Sequence, residues 1–194
     1  MLAAIKYNLT HLTVFEGRDA RSTFWFYVLF LVLAHLAVSF AISLPFAGSM
    51  MGTAITAARE GASDAEVRQR MMAQMGTMMR SSMWMSVVLS LVTMALVAAS
   101  FTRRLHDSGK PGWLTVVAIV IQLVALGIAI ASLEDAVRMV VLARTGDFAE
   151  IQGLQRRFFL QGLIGWIPIA MIIVLGAWPS TPGENRYGPK PAPL

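Results

Sequence analysis

The chain has 194 residues, of which 56% are hydrophobic and only 14% are charged, and its mean hydropathy is +0.63. Because soluble domains usually carry about 25% charged residues, this composition excludes an ordinary soluble protein and indicates an integral membrane protein. The chain has no cysteine, which excludes disulfides, thiolate metal sites and cysteine nucleophiles. The net charge of +5 predicts anionic membrane lipids as partners, and no nucleic acid, because the basic residues flank apolar runs and form no single basic face.

The N-terminal segment, residues 2–15, is predicted to form a short amphipathic helix that lies in the membrane interface. Its apolar residues recur at helical spacing, at Leu2, Ile5, Leu9 and Leu12. A partly ordered tail is the alternative interpretation.

The first uncharged run predicts a transmembrane helix over about residues 24–46, which is long enough to cross a bilayer. It opens with Phe24, Trp25, Phe26 and Tyr27, a cluster typical of the membrane interface. The run is too long and starts too late for a cleavable signal peptide, so we expect a retained signal-anchor helix. His35 lies near its middle, where an ionisable residue is a functional candidate, although a neutral, hydrogen-bonded packing histidine is the commoner case.

Residues 47–82 are predicted to form a long loop in which Ser63 and Glu66 mark a helix start with the capping-box pattern. No proline follows before Arg103, so this helix is expected to project beyond the bilayer and to continue into a second span, about residues 83–101. The projection is rich in methionine. Its thioethers could bind Cu(I), a soft ion, although apolar packing is the commoner use of methionine; the candidate ligands are Met71, Met75, Met78 and Met79.

The third span is predicted over about residues 112–133, with a helical pattern that continues outward through residues 134–144. Thr145 and Gly146 break the pattern, and Asp147 resembles a second capped helix start. The fourth span is expected over about residues 158–178, with a kink at Pro168. Residues 179–194 are rich in proline and glycine and are expected to be extended and outside the membrane.

These elements predict an all-α integral membrane protein, with residues 1–194 forming a single membrane domain. Its fold is a four-transmembrane-helix bundle with an N-terminal interfacial helix and extended extramembrane helical insertions. Residues 103–113, interpreted as a loop, carry the densest charge in the chain. Because the number of spans is even, residues 16–21, this loop and the tail lie on one side of the membrane, which we call the motif side. Each side has eight basic residues, but the shorter basic segments of the motif side favour cytoplasmic N and C termini.

The motif side carries three short signatures. They are Glu16-Gly17-Arg18 with Arg21 and Phe24-Trp25, then Arg103-Arg104-Leu105-His106-Asp107 with Gly109 and Gly112-Trp113, and finally Gly183 with Asn185-Arg186-Tyr187-Gly188-Pro189. In these signatures the chain resembles a bacterial inner-membrane family known as domain of unknown function 805. The resemblance implies a protein of the cytoplasmic (inner) membrane with no established biochemical activity. Two positions depart from the family pattern, Pro111 in place of serine and Leu114 in place of a second tryptophan, and both extracytoplasmic insertions look longer than usual.

The leading functional hypothesis is a non-enzymatic binding or scaffold module that recognises an anionic lipid headgroup, or a partner, on its cytoplasmic face. The motif side has eight basic residues against Glu16, Asp19, Asp107 and Glu184, so cations are left over. We expect Asp107 to pair internally and the surplus, chiefly Arg103 and Arg104, to hold the anion through forked hydrogen bonds. The candidate binding residues are Arg18, Arg21, Arg103, Arg104, His106, Asn185 and Tyr187. Positive-inside anchoring without any specific site is the simpler alternative.

Two other functions stay open. A lipid-acting enzyme would use His106 as a general base oriented by Asp107, although adjacent residues rarely orient one another in this way. A small oligomeric channel or transporter component would depend on the polar groups His35, Gln122 and Gln161 within the spans. A homo-oligomer or a membrane protein partner is compatible with either. No cofactor is expected.

Overall fold

The computed structural model describes residues 1–145, 148–192 and 194, and this part of the chain forms six α-helices. They are α1 (Leu2–Thr10), α2 (Arg21–Arg59), α3 (Asp64–Asp107), α4 (Trp113–Ala131), α5 (Leu133–Thr145) and α6 (Phe148–Ala177).

Four of these helices, α2, α3, α4 and α6, are long and apolar enough to cross a membrane. The protein is therefore a multi-pass membrane protein, and the predicted all-α bundle with four spans is confirmed. α3 is the central helix, because 33% of its most apolar stretch is buried, compared with 11% or less for the other three. The remaining faces of the spans carry exposed leucine, valine, isoleucine and phenylalanine, which suit contact with lipid.

α3 is one continuous helix of 44 residues. It begins at the predicted capping box, in which the Ser63 hydroxyl accepts from the Glu66 amide and the Glu66 carboxylate accepts from the Ser63 amide. At 1.5 Å per residue the helix is about 66 Å long, roughly twice the thickness of the hydrocarbon core. It must therefore project well beyond the bilayer, as the sequence predicted.

Two predicted boundaries are wrong. Residues 47–59 are helical, because α2 continues through Pro45 to Arg59, and proline is tolerated within membrane helices. α1 ends at Thr10, because the carbonyl groups of His11 and Val14 turn towards Arg103 instead of continuing the helix. The third span, predicted over about residues 112–133, is observed as α4 (Trp113–Ala131), and the Ser132 hydroxyl just beyond it donates to Gln161 of α6. The predicted helix start at Asp147 lies outside the described residues.

The two projections that the sequence predicted lie side by side. A Cβ atom on Gly76 of α3 would lie 3.9 Å from Val137 of α5, and Arg80 pairs with Glu134 at 3.1 Å. This ion pair is exposed, so it contributes little stability. The four candidate Cu(I) ligands divide between two environments, with Met71 and Met78 half-buried and Met75 and Met79 exposed.

The buried apolar core lies at the motif-side end of the bundle. It is centred on Phe24, Phe101, Leu105 and Ala118, which come from α2, α3 and α4. α6 approaches so closely that a Cβ atom on Gly176 would lie only 2.6 Å from the Phe24 ring. All four spans are therefore held together at the end where the motifs lie.

Candidate functional site

The charged stretch that starts at Arg103 is helical where the sequence predicted a loop. Residues 103–107 form the last turns of α3, and the helix ends at Ser108 and Gly109. Gly109 has a φ of 71°, its amide donates to His106, and the Lys110 amide donates to Leu105, which together form a Schellman motif. A loop was predicted because charged side chains are usually exposed, whereas all five residues from 103 to 107 are buried.

Asp107 is the counter-charge for two arginines. Arg18 donates to Asp107 Oδ1 through Nε at 3.1 Å and Nη2 at 2.9 Å, and Arg104 donates to Oδ2. The Ser180 hydroxyl also donates to Oδ2, at 2.5 Å. Asp107 and Arg104 are fully buried and Arg18 is 7% exposed. We call the five residues Arg18, Asp19, Arg103, Arg104 and Asp107 the arginine clasp.

Asp19 is the second carboxylate of the clasp and pairs with Arg103 at 2.9 Å. It also accepts from Ser100 at 3.2 Å, and its amide donates to the Arg103 carbonyl. Burial raises the pKa of Asp19, while the hydrogen bonds from Arg103 oppose that shift of the pKa. Because desolvation largely offsets the attraction in such buried pairs, we assign the pair a positioning role, joining residues 16–20 to the end of α3.

The clasp also holds the tail. Arg18 donates to the carbonyl groups of Gly183, Gly188 and Thr181 at 2.8, 3.1 and 3.0 Å. Arg104 donates to the carbonyl groups of Gly176 and Trp178, where α6 ends. Residues 16–21, the end of α3 and the tail, which the even number of spans places on one side of the membrane, are therefore in contact with one another.

Arg103 and Arg104 do not point outward as the sequence analysis expected. They are 1% and 0% exposed, and both guanidinium groups donate to protein acceptors. In the described residues, every buried side-chain nitrogen and oxygen has a hydrogen-bond partner. The sequence predicts that these two arginines hold an external anion, whereas in this structure the protein itself supplies their acceptors.

His106 takes part in a small aromatic stack. Its ring lies 3.8 Å from the Tyr187 ring, measured between centroids, with an interplanar angle of 7°. Its Nδ1 is 3.1 Å from the Gly17 carbonyl, and a Cβ atom on Gly112 would lie 2.9 Å from its Nε2. Asn185 completes the group by donating to the His106 carbonyl at 3.0 Å and accepting from the Tyr187 amide.

A lipid-acting enzyme would need the carboxylate of Asp107 to face the ring of His106. The carboxylate of Asp107 accepts from Arg18, Arg104 and Ser180, and the ring of His106 faces Gly17 and Tyr187. The two side chains therefore do not form the base and orienting pair that the alternative required.

Exposed and half-buried cations surround the clasp on the motif side. We call them the basic rim, and its members are Lys6, Arg21, Lys110, Arg186 and Lys190. Two of them lie against aromatic rings: the Lys110 ammonium is 4.0 Å from the centre of the Trp178 ring, and the Arg186 guanidinium is 4.7 Å from that of Tyr187. Cation–π contacts of this kind hold charges at defined positions.

An open cleft of about 580 Å³ lies between the first turns of α2 and the tail. Its lining consists of Ala20, Arg21, Ser22, Trp25, Asp107, Ser180, Lys190 and Pro191. Arg21 is the one predicted binding arginine that faces this cleft. Ser22, Ser180 and Lys190 were not predicted as site residues, because no local pattern in the sequence indicates that the tail folds back over the start of α2.

Two of the polar groups within the spans, His35 and Gln161, form hydrogen bonds between helices. His35 Nδ1 lies 3.3 Å from the Thr93 hydroxyl, linking α2 and α3, and Gln161 accepts from Ser132. For His35 this is the hydrogen-bonded packing role that the sequence analysis favoured. Such pairs stabilise helix contacts in lipid modestly.

The chain matches the family described as protein of unknown function (DUF805) over residues 12–189. It belongs to this family. No curated protein and no solved structure gives a match. The region matched to DUF805 includes the four spans and the whole clasp, whereas α1 precedes it and Lys190 follows it.

Proposed function

We propose that this DUF805 protein is a non-enzymatic binding module of the bacterial inner membrane, whose motif side faces the cytoplasm and recognises anionic lipid headgroups. The supporting observation is the division of the motif-side charges. Three of the eight basic residues are buried in the clasp with two aspartates. The other five form the rim, against the exposed carboxylates of Glu16 and Glu184. The rim therefore has an excess of positive charge.

The rim is carried on an ordered frame. The clasp ties the tail to α3, and Trp178 and Tyr187 support Lys110 and Arg186. Tryptophan and tyrosine favour the membrane interface, so these cations lie at the level expected for lipid headgroups. Each basic residue near an anionic surface contributes about 1 kcal/mol of attraction. Simple positive-inside anchoring needs only the charges, whereas headgroup recognition also needs their fixed positions.

The test is lipid retention by native mass spectrometry, using protein reconstituted with phosphatidylcholine and phosphatidylglycerol. One variant replaces all five rim residues with glutamine. The control replaces five exposed arginines of the opposite side, which are Arg59, Arg68, Arg70, Arg80 and Arg156. We expect the rim variant to lose its preference for phosphatidylglycerol and the control to keep it. Equal retention by both variants and the wild type would refute the proposal.

A further inference from the structure

We infer that the cleft between α2 and the tail is a specific site for a phosphate ester, with Arg21 and Lys190 as its binding cations. This inference rests on the proposed function, because it assigns one place on the basic rim where an anion is bound in a defined geometry. The class of ligand is a phosphate monoester or diester, as found in lipid headgroups and in soluble sugar or glycerol phosphates.

Arg21 is the cation whose donors are available in the cleft. The described contacts of its guanidinium are a single hydrogen bond to the Trp178 carbonyl, at 3.4 Å, and the side chain is exposed. The clasp arginines, by contrast, are buried and donate to several protein acceptors each. A guanidinium with unused donors matches two phosphate oxygens in a forked arrangement.

Lys190 lies across the cleft from α2, on the tail that the clasp fixes in place. Its ammonium is a mobile point charge with three donors, so it complements the planar guanidinium of Arg21. Ser22, in the first turn of α2, adds a hydroxyl to the same lining. Ser180 does not add a donor, because its hydroxyl proton is directed to Asp107.

Asp107 also reaches the cleft, and a carboxylate would repel a phosphate. Here both of its oxygens accept from arginines, Oδ1 from Arg18 and Oδ2 from Arg104, and Ser180 covers Oδ2. The three groups together carry one net positive charge. Together these groups therefore place positive and not negative charge beside the cleft.

The size and position of the cleft fit an ester better than a bare ion. A volume of about 580 Å³ lies within the usual range of about 300–1,000 Å³ for ligand sites and leaves space for carbon atoms beside the phosphate. Trp25 supplies an apolar wall for them. The cleft lies at the start of α2 and beside the end of α6, and we infer that headgroup phosphates reach it because the ends of membrane spans lie at the lipid headgroups.

The experiment compares two double variants with equal loss of charge. Arg21→Gln with Lys190→Gln removes the cleft cations, and Lys110→Gln with Arg186→Gln removes two rim cations outside the cleft. The first arm measures retention of phosphatidylglycerol by native mass spectrometry. The second arm titrates glycerol 3-phosphate into protein held in phosphatidylcholine nanodiscs, by calorimetry. Because Arg21 and Lys190 are exposed, we expect normal folding, which the thermal midpoint checks.

We expect the cleft variant to bind at least about tenfold more weakly, as for the loss of one charge-assisted hydrogen bond, and Arg21→Lys to restore part of the affinity. The control loses only the general attraction of two rim charges, so it should bind at least about tenfold more tightly than the cleft variant. A loss in the first arm identifies a lipid headgroup, and a loss in the second arm identifies a soluble ester; either supports the site. If the two double variants behave alike while the five-residue rim variant still loses lipid, the cleft is not a site and the rim acts diffusely. If the five-residue variant also retains lipid, both the cleft site and the proposed function are refuted.

Discussion

Asp107 connects two arginines and the tail on the motif side. Two guanidinium groups and a hydroxyl donate to its carboxylate, and its own carbonyl accepts from the Thr181 amide at 2.8 Å. Because it neutralises Arg18 and Arg104 in a buried position, its loss would leave buried positive charge without a partner. This is the situation in which a buried ion pair affects stability most.

We predict that Asp107→Asn lowers the free energy of unfolding by about 3–5 kcal/mol, the usual effect of breaking one side of a buried pair. Unfolding in mixed micelles of a mild detergent and sodium dodecyl sulfate measures this change. Glu184→Gln is the control, since it removes the same charge from an exposed side chain on the same side. Equal stability of the two variants would show that the clasp does not hold the fold together.

The residues that pair with one another in the clasp could not be predicted from the sequence. Counting spans predicted that residues 16–21, the stretch after Arg103 and the tail would share one side, and they do. It did not reveal that Arg103 and Arg104 would find enough protein acceptors to be buried, because half of the acceptors in the described residues are backbone carbonyl groups of remote segments. A backbone acceptor has no signature in the sequence.

At the scale of helices, α3 organises the molecule because, of the six helices described, it alone contributes to the projection, the buried bundle and the clasp. Its start was predictable, since the capping box depends on residues three apart. Its end was not, since helical residues 103–107 depend on partners far along the chain. The continuation of α2 through Pro45 was missed for a similar reason, as proline in a membrane helix is tolerated only in the right surroundings.

The contact between α6 and α2 gives a second prediction. Gly176→Ala should destabilise the protein by about 1–3 kcal/mol, the usual result of overpacking, because the added methyl group would lie 2.6 Å from Phe24. Gly127→Ala is the matched control in α4, where a Cβ atom meets nothing within 4 Å; its stability should be unchanged or slightly higher. The same unfolding assay compares them, and a fall in the control as large as that of Gly176→Ala would contradict the packing argument.

At the scale of the whole molecule, the four spans put both termini on the motif side, where the clasp joins the N-terminal segment to the tail. Orientation cannot come from counting basic residues, since each side has eight. It comes from how those residues are distributed, because the positive-inside rule gives most weight to short segments close to the ends of spans. The motif side has the shorter segments, whereas the opposite side carries its arginines on long projecting helices.

We therefore predict that both termini are cytoplasmic. Alkaline phosphatase, which is active only outside the cytoplasm, should be inactive when fused after Leu194 and active when inserted at Gly61, in the exposed turn between α2 and α3. Green fluorescent protein fused after Leu194 should fluoresce, which shows that the inactive phosphatase fusion reflects location and not degradation. The reverse pattern would place the basic rim and its cleft on the outer surface. Headgroup binding could then still occur, but only with the outer leaflet, and the cytoplasmic part of the proposed function would be wrong.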